Sequence, residues 1–341
     1  MIKIKREGIV LRPTPLGFEN KSVFNPTTYR EGSHVHMIYR AINDEYVSCL
    51  GYAKLKGPME VVERWEKPFL SPKFNYEKKG IEDPRMVKIG DTFYLVYIAH
   101  DGKNALLAYL YGKDLFNLKR GGIISPRLSY KKAAKLFKSA TVKDDYFFFE
   151  AFYRNYGGRD VLLWDKDGLF FPKLINGKFA LVHRILPDIQ IAYADDLQDF
   201  KENCYWEEYC KNIKEYVILE PKYGFEKRHI GGGCPPILTK AGWLLIFHGT
   251  EEENVGRVYH AAAAILDKND PQHVIARLPF PLFSPTEDFE TGGHVNNVVF
   301  PTGTAIFKDK LFIYYGAADS HIAVGSVNLD ALVKEVMKYK L

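Results

Sequence analysis

Cysteine is scarce in this chain of 341 residues, and its positions exclude the usual metal and redox arrangements. The four cysteines are Cys49, Cys204, Cys210 and Cys234. None forms a Cys-x-x-Cys pair, and none joins a histidine at the spacing of a zinc site. We therefore expect free thiols in a reducing compartment, with no bound metal and no organic cofactor.

Long apolar runs are absent, and charge of one sign is not concentrated anywhere. No stretch approaches the roughly 20 apolar residues of a membrane span, and residues 1–13 lack the apolar run of a signal peptide. The net charge is only +5, from 47 basic and 42 acidic residues, and the longest basic cluster, 131–138, has the spacing of a helix face. These absences predict a cytoplasmic protein with neither a membrane nor a nucleic-acid partner.

Aromatic residues, in contrast, are abundant, with 22 Tyr and 23 Phe in the chain. Aromatic side chains favour β-strands. Their faces can also pack on the apolar faces of sugar rings, although any single aromatic residue is more often part of a core. The composition therefore favours a β-rich fold and is compatible with a sugar-binding site.

One pattern recurs five times: a short strand, a turn with Gly or Asp, and a strand of alternating apolar and aromatic residues. The copies lie at 27–41, 86–99, 173–185, 237–250 and 304–319. Their long, even spacing predicts an all-β, five-bladed β-propeller rather than a β-sandwich. No low-complexity linker interrupts the chain, so we predict one domain over residues 1–341. A few short peripheral helices are predicted at 128–137, 197–213 and 328–341.

Polar residues occupy matching places in these repeats, where the strand ends of a propeller would converge on its axis. Such residues are also common in ordinary turns, which is the simpler interpretation of each one alone. The residues before or within the hairpins are Asn25, Asp83, Asp167, Glu226 and Asn296–Asn297, and those after them are Arg40, Asp101, Arg184, His248 and Asp319.

Three stretches go beyond turn chemistry, and the third of them, 296–307, has two amide side chains at the start of a buried strand. In the first, GIEDPR, a proline restricts the backbone of Asp83, and we expect Arg85 to pair with Glu82 so that Asp83 faces a pocket. The second, IGGGCPPI at 230–237, predicts a stiff turn whose backbone can closely approach a ligand. It lacks the pattern of a nucleotide-binding P-loop.

With these motifs the sequence resembles glycoside hydrolase family 130, which contains inverting β-mannoside phosphorylases and β-1,2-mannosidases on a five-bladed β-propeller. The resemblance covers nearly the whole chain. GIEDPR, the segment 166–184, IGGGCPPI, GWLLIFHG, NNVVFPTG and YYGAAD occur in the family's order. The region 158–173 is most similar to the branch that contains the β-1,2-mannosidases.

The resemblance implies that Asp83 is the general acid that protonates the glycosidic oxygen. An acid of this kind must hold a proton near neutral pH, so we expect burial or carboxylates such as Glu82 to raise its pKa. The resemblance also implies a sugar pocket formed by Asn25, Arg40, Glu82, Asp167, His183, Arg184, His248 and Asp319, with Phe170 or Phe171 as an apolar wall.

The reaction depends on the nucleophile. Hydrolysis needs a carboxylate base for water, and the resemblance offers Glu226 in that role, with Glu290 as a second candidate. Phosphorolysis instead needs cations for the phosphate. The candidates for that task are Arg40, Arg184, Arg228 and His229.

Our main expectation is hydrolysis of β-1,2-linked manno-oligosaccharides by an inverting mannosidase. The alternative is an inverting phosphorylase that uses inorganic phosphate as co-substrate and releases mannose 1-phosphate. A non-catalytic sugar-binding propeller is a third interpretation. Members of this family often associate, so a homo-oligomer also remains open.

Overall fold

The computed structural model describes residues 2–254 and 256–341, of which 47% are in strands and 17% in helices. The strands are β1 Lys5–Leu11, β2 Ser22–Glu31, β3 His34–Ile42, β4 Ser48–Lys56, β5 Glu60–Arg64, β6 Gly80–Ile89, β7 Thr92–His100, β8 Ala105–Gly112, β9 Lys119–Ile123, β10 Lys166–Phe170, β11 Phe179–Arg184, β12 Ile189–Ala194, β13 Val217–Leu219, β14 His229–Gly232, β15 Ile237–Thr239, β16 Gly242–Glu253, β17 Gly256–Leu266, β18 Val274–Arg277, β19 Val299–Phe307, β20 Lys310–Ala317 and β21 His321–Asn328. The helices are α1 Tyr130–Ser139, α2 Asp145–Gly157, α3 Asn203–Lys211, α4 Asp288–Thr291 and α5 Leu329–Val336.

These strands form five antiparallel units. Unit 1 (β2–β5) and unit 2 (β6–β9) share one sheet, in which a single parallel pair, Ser48 with Gly80, joins them. Unit 3 contains β10–β13, and unit 4 contains β14–β18, where β14 and β15 both pair with β16 as two parts of one interrupted strand. Unit 5 contains β19–β21 and is completed by β1, which pairs with β21.

Five apolar cores lie between these units. Four of them lie between units 1 and 2, units 2 and 3, units 3 and 4, and units 4 and 5. The fifth lies between unit 5 and unit 1, where residues of β20 and β21 pack against residues of β2 and β3. Packing therefore proceeds from each unit to the next and returns to the first.

The structure confirms the predicted β-rich fold and four of the five hairpins, which are β2–β3, β6–β7, β15–β16 and β19–β20. The third hairpin is displaced along the chain, because its first strand is β10 and residues 173–175 belong to the connection. Asn176 and Gly177 have positive φ of 50° and 82°, and an isolated bridge joins Ile175 to Lys178. This local turn has hairpin chemistry of its own, which explains the misplaced strand.

Helices α3 and α5 lie within their predicted ranges, and α1 ends two residues later than predicted. Two of these three helices begin at a capping side chain. Ser129 accepts a hydrogen bond from the backbone N–H of Lys132 at the start of α1, and Asn328 accepts one from Ala331 at the start of α5. Helix α2 was not predicted. Its sequence, DYFFFEAFYRNYG, is rich in aromatic residues that favour strands, yet one face of it packs into the core between units 2 and 3.

Among the described residues, no helix has the length and apolar character needed to cross a membrane.

Candidate active site

The first strands of units 1, 2 and 3 each contain a β-bulge, and a short polar residue occupies each bulge. Register shifts in β2, β6 and β10 place Asn25, Asp83 and Asp167 there, with φ of 47°, 48° and 55°. Asn and Asp tolerate this left-handed conformation better than most residues. A Pro or Gly follows each of them, which suits an interrupted strand ladder. Each bulge interrupts the regular alternation of side-chain direction along its strand, so these three side chains point in a direction that a regular strand would not give them.

Asp83 lies at the centre of a hydrogen-bonded group of charged residues. Its Oδ1 accepts a hydrogen bond from Asn25 Nδ2 at 2.8 Å and lies 3.3 Å from Arg40 Nη1. Arg40 Nη2 donates to Glu82 Oε1 at 2.8 Å, and Lys166 Nζ lies 3.6 Å from Glu82 Oε2. Four residues that the sequence assigned to the site are thus in direct contact.

The electrostatics of Asp83 differ from the expectation that its pKa is raised. Burial does raise the pKa of this carboxyl, but the charges of two arginines, Arg40 first, and an amide hydrogen bond outweigh burial and hold the pKa below its usual value. Burial, together with the nearby charges of Asp83 and Glu82, instead raises the pKa of Asp319 to about 7. We call this group the acid cluster; it consists of Asn25, Arg40, Glu82, Asp83, Lys166 and Asp319.

A second group of charged residues lies beside the bulge of β10. Arg184 Nη1 is 2.9 Å from Asp167 Oδ2 and 3.4 Å from His248 Nε2. The ring centroids of His248 and His229 are 6.1 Å apart. Burial, and then the charge of Arg184, lowers the pKa of both histidines well below the usual value, so both rings are neutral. We call this group the basic cluster; it consists of Asp167, Arg184, Arg228, His229 and His248.

Four buried nitrogen atoms of the basic cluster have no hydrogen-bond partner among the described residues. They are Arg184 Nε, Arg228 Nε, His229 Nδ1 and His248 Nδ1. Buried polar atoms are normally paired, so a concentration of unpaired ones calls for an explanation. Arginine nitrogens in particular match the oxygens of an anion such as phosphate. The geometry therefore suits an anionic ligand.

Arg85 lies between the two clusters and does not pair with Glu82 as predicted. It is buried and donates to the backbone carbonyls of Asp83 and Gly233. Both oxygens of Glu82 already face other cations, which explains the different partner. The Arg85 guanidinium also lies 5.8 Å from the ring centre of Phe300, beside which the ring of His248 packs at 4.4 Å. Phe300 thus places an aromatic ring beside both Arg85 and His248.

His183 was predicted to line the sugar pocket, and the structure places it in the core instead. Its Nδ1 lies 2.9 Å from Asp165 Oδ1, and its Nε2 lies 2.9 Å from Tyr209 Oη. Successive side chains of a strand point to opposite faces, so His183 points away from the face that Arg184 occupies.

Phe170 and Phe171 were the predicted apolar wall, and both are core residues. Phe170 packs against Tyr94 in the core between units 2 and 3, with ring centroids 6.1 Å apart. Phe171 packs against Trp243 in the core between units 3 and 4, with centroids 5.1 Å apart. Both rings therefore belong to the cores between units, and neither contacts the two clusters.

Glu226, the predicted base, is completely buried, and the protein occupies both of its oxygens. Oε1 accepts a hydrogen bond from Arg277 Nη2 at 2.6 Å. Oε2 accepts from the backbone N–H groups of Lys222 and Tyr223 at 2.9 and 3.0 Å. None of these contacts involves the acid cluster, so the arrangement does not resemble a carboxylate poised beside a water.

The second candidate base, Glu290, belongs to the same recurring arrangement. Its Oε1 accepts hydrogen bonds from Arg6 at 2.8 Å and from the hydroxyl of Tyr315 at 2.6 Å. Glu19 and Glu77 likewise each contact one arginine and one tyrosine hydroxyl. We call Glu19, Glu77, Glu226 and Glu290 the loop glutamates. Their recurrence before the first strand of units 1, 2, 4 and 5 indicates a structural role.

The four candidate phosphate ligands divide between the clusters. Arg40 is saturated, because its Nε donates to Ser48 Oγ at 2.9 Å and its other nitrogens face the acid cluster. Arg228 pairs with the exposed Glu252 but keeps a buried, unpaired Nε. Arg184, Arg228 and His229 thus remain together as a candidate anion site, and Arg40 belongs to the acid cluster.

Lys166 and Phe149 of helix α2 are parts of the site that the sequence analysis missed. Lys166 contacts Glu82, and its Nζ lies 5.0 Å from the ring centre of Trp164. Phe149 of α2 lies 6.5 Å from the His229 ring. The sequence did contain a signal for Lys166. Lys166 directly precedes Asp167, the bulge residue of β10, just as Glu82 directly precedes Asp83, the bulge residue of β6.

Comparison with known proteins identifies the family of this chain. A family model described as beta-1,4-mannooligosaccharide phosphorylase matches residues 7–338. A 1,2-beta-oligomannan phosphorylase of Thermoanaerobacter sp. (strain X514) is 31% identical over 343 residues, which cover 96% of this chain and 98% of that protein. A beta-1,2-mannobiose phosphorylase of the same organism is 32% identical over 341 residues, which cover 94% of this chain and 93% of the relative.

A solved structure gives the same result. The beta-1,2-mannobiose phosphorylase from Listeria innocua, in complex with beta-1,2-mannobiose, has a TM-score of 0.74 and 25% sequence identity, with coverage of 98% of this chain and 99% of that one. The matches define an enzyme that acts on glycosides. The chain belongs to glycoside hydrolase family 130.

Membership confirms the predicted family and the predicted enzyme, and it leaves the non-catalytic interpretation without support. The relatives are named as phosphorylases, so the expectation of hydrolysis is not confirmed. Phosphorylases of this family take phosphate as co-substrate and need no cofactor. Within the described residues, no group of three or more His, Cys, Asp or Glu side chains could hold a metal ion.

Proposed function

We propose that this protein is an inverting phosphorylase that cleaves β-1,2-linked manno-oligosaccharides with inorganic phosphate and releases mannose 1-phosphate. The observation that carries the proposal is the set of unpaired nitrogen atoms in the basic cluster, beside the bulge that holds Asp167. Unpaired arginine nitrogens suit a phosphate dianion and have no evident use for a neutral water molecule. The names of the relatives support the same substrate and linkage.

In this proposal the acid cluster binds the sugar and supplies the proton. Asp83 transfers a proton to the glycosidic oxygen as the bond to the leaving sugar breaks. The Asp83 carboxyl is ionised in the structure, so its proton must come from elsewhere in the cluster. Asp319 has a pKa of about 7 and responds to the charge of Asp83, so it can hold that proton at neutral pH.

The basic cluster binds the nucleophile. A phosphate oxygen attacks the anomeric carbon from the face opposite the leaving oxygen, which inverts the configuration. Arg184 and Arg228 supply positive charge, and the neutral rings of His229 and His248 supply hydrogen bonds. The proton of Asp83 ends on the leaving sugar, and the attacking oxygen ends in the mannose 1-phosphate.

Hydrolysis has weaker support at the atomic level. An inverting hydrolase needs a carboxylate base at a distance that leaves room for a water. Glu226 and Glu290 were the candidates, and the protein occupies the oxygens of both. We therefore assign a structural role to these two residues.

The five units are, in our proposal, the blades of a five-bladed β-propeller that forms one domain over residues 1–341. The support is the return of packing from unit 5 to unit 1 and the completion of unit 5 by β1. We also place the enzyme in the cytoplasm. All four cysteines are free, which suits a reducing compartment.

The experiment is to incubate the protein with β-1,2-mannobiose, with and without inorganic phosphate, and to identify the sugars released. We expect mannose 1-phosphate and mannose in equal amounts, and only when phosphate is present. Parallel assays with β-1,4-mannobiose test the linkage. Free mannose at the same rate in both tubes would overturn the proposal in favour of hydrolysis.

A further inference from the structure

Helix α2 exposes three aromatic rings in a row. Phe148, Phe152 and Tyr156 are spaced four residues apart and are 58%, 41% and 65% exposed. Residues at this spacing lie on one face of a helix, about 6 Å apart along its axis. Large aromatic rings exposed together are uncommon on a soluble surface and mark a site of interaction.

The neighbouring face of α2, which carries Phe149 and Tyr153, packs beside both clusters of the active site. Phe149 packs at 6.5 Å from the His229 ring and lies under the Arg228 guanidinium at 5.8 Å. Tyr153 packs at 4.4 Å from Trp164, over which the side chain of Lys166 lies. The exposed row therefore lies next to the face of α2 that packs against the residues proposed to bind phosphate and sugar.

The junction between the two faces is open. A cavity of about 260 Å³ is lined by Phe148, Phe149 and Arg228, among others. A second cavity, of about 610 Å³, lies along the exposed row and is lined by Phe148 and Phe152 together with hydrogen-bonding groups of Arg154 and Asn155. The row is thus continuous with the basic cluster and mixes ring faces with polar groups.

This mixture suits a sugar chain better than a second protein. Aromatic side chains have about 150–250 Å² each to bury, so the exposed portions of the three rings amount to roughly 300 Å². A stable protein interface buries about 800 Å² on each partner. Flat rings that alternate with polar side chains can contact the apolar face and the hydroxyls of successive sugars.

We infer that the exposed row of α2 binds the sugar units of a manno-oligosaccharide that extend beyond the catalytic clusters. This inference rests on the proposed function for its substrate class. A disaccharide is too short to reach the row, whereas a longer chain contacts it. The row therefore sets a preference for chain length and does not take part in bond cleavage.

The test compares kcat/KM for β-1,2-mannobiose and β-1,2-mannohexaose in the wild type and in a Phe148→Ala/Phe152→Ala/Tyr156→Ala variant. We expect the value for the hexaose to fall at least about fivefold and the value for mannobiose to stay within about twofold. Phe116→Ala is the matched control, because Phe116 is 50% exposed and lies in the loop between β8 and β9. The control should change neither value.

The mannobiose value also reports on folding, since the three side chains are exposed. An equal loss on both substrates, with a lower molecular mass of the variant in solution, would make the row an interface between copies and overturn the inference. An unchanged ratio of the two values would overturn it as well.

The ratio can be measured with phosphate or with water as nucleophile, so a failure of the proposed phosphorolysis does not conceal the result. A calorimetric titration with the hexaose in the absence of phosphate measures binding without turnover. Comparing the wild type with the triple variant tests directly whether the exposed row of α2 binds the oligosaccharide. Weaker binding by the triple variant alone supports the inference, and equal binding overturns it.

Discussion

The acid cluster and the basic cluster differ in how completely the protein satisfies them. In the acid cluster, Arg40 directs its nitrogens to Ser48, Glu82 and Asp83. In the basic cluster, four buried nitrogen atoms lack a partner among the described residues. The acid cluster leaves one buried atom, Asn25 Oδ1, without a partner, whereas the four unpaired nitrogen atoms of the basic cluster are, in our proposal, the ligands of an anion. Unsatisfied polar atoms indicate the position of an anion better than charge alone does.

A second contrast concerns buried carboxylates. Glu226 and Asp83 are both buried beside an arginine, yet their surroundings differ. Glu226 sits in a short turn before its strand, where two backbone N–H groups and Arg277 saturate it. Asp83 sits in a bulge, and among the described residues no backbone N–H group donates to its carboxylate oxygens. Burial beside a cation thus does not identify a catalytic carboxylate.

The largest effect is expected from Asp83→Asn. The amide cannot donate the acidic proton, so kcat for β-1,2-mannobiose should fall by at least about a hundredfold. An aryl β-mannoside with a good leaving group should lose much less, because its departure needs little protonation. Thermal unfolding should show that the fold is intact. Equal losses on both substrates would contradict an acid role for Asp83.

A smaller effect is expected from Arg228→Gln, which removes charge from the basic cluster. The KM for phosphate should rise about tenfold, while the KM for mannobiose changes little. Lys227→Gln is the matched control, because it removes the same charge from the exposed neighbouring residue. A rise in the KM for mannobiose alone would move Arg228 from the phosphate to the sugar.

The acid cluster should also control the pH dependence. A carboxyl with a pKa of about 7 is protonated below that value, so the cleavage rate of the wild type should fall as pH rises through about 7. Asp319→Asn removes the carboxyl that holds the proton and leaves Asp83, whose pKa lies below its usual value. The alkaline limb of kcat/KM, measured from pH 5 to 9, should therefore move to lower pH. An unmoved limb would separate Asp319 from the proton transfer.

The smallest effect on catalysis is expected from Glu226→Gln. The variant loses a buried ion pair with Arg277, so the free energy of unfolding should fall by about 3 kcal/mol. Below its unfolding temperature, kcat should stay within about threefold of the wild type. Glu290→Gln is the control, since it alters the equivalent loop glutamate. A large loss of kcat with unchanged stability would restore Glu226 as a catalytic base.

Much of the site could be predicted because its bulges have a simple sequence pattern. Asn25, Asp83 and Asp167 each precede Pro or Gly, and the structure gives all three the same backbone conformation. The neighbours were harder to predict, because the contact partner of a charged side chain depends on units that are distant in the chain. Arg85 reaches Gly233 across the molecule, which no local pattern records.

The errors on the fold have equally local causes. Residues 145–157 look like strand by composition, and only packing against α1 and the core between units 2 and 3 makes them a helix. His183 and Phe170 lie in the correct strands but on the face that packs inward. A pattern of period two identifies a strand without saying which of its faces is the core.

The pairing of β1 with β21 has a consequence for the time course of synthesis. Lys5 pairs with Ser326. Strand β1 therefore cannot form its native pairing until β21 has been synthesised, about 320 residues later. At roughly 5–20 residues per second, that interval is on the order of 15 to 60 s. Throughout it, the backbone of β1 is an open edge that another nascent chain could pair with. A short delay in translation near the last unit would therefore increase aggregation of newly made chains without changing the stability of the finished protein.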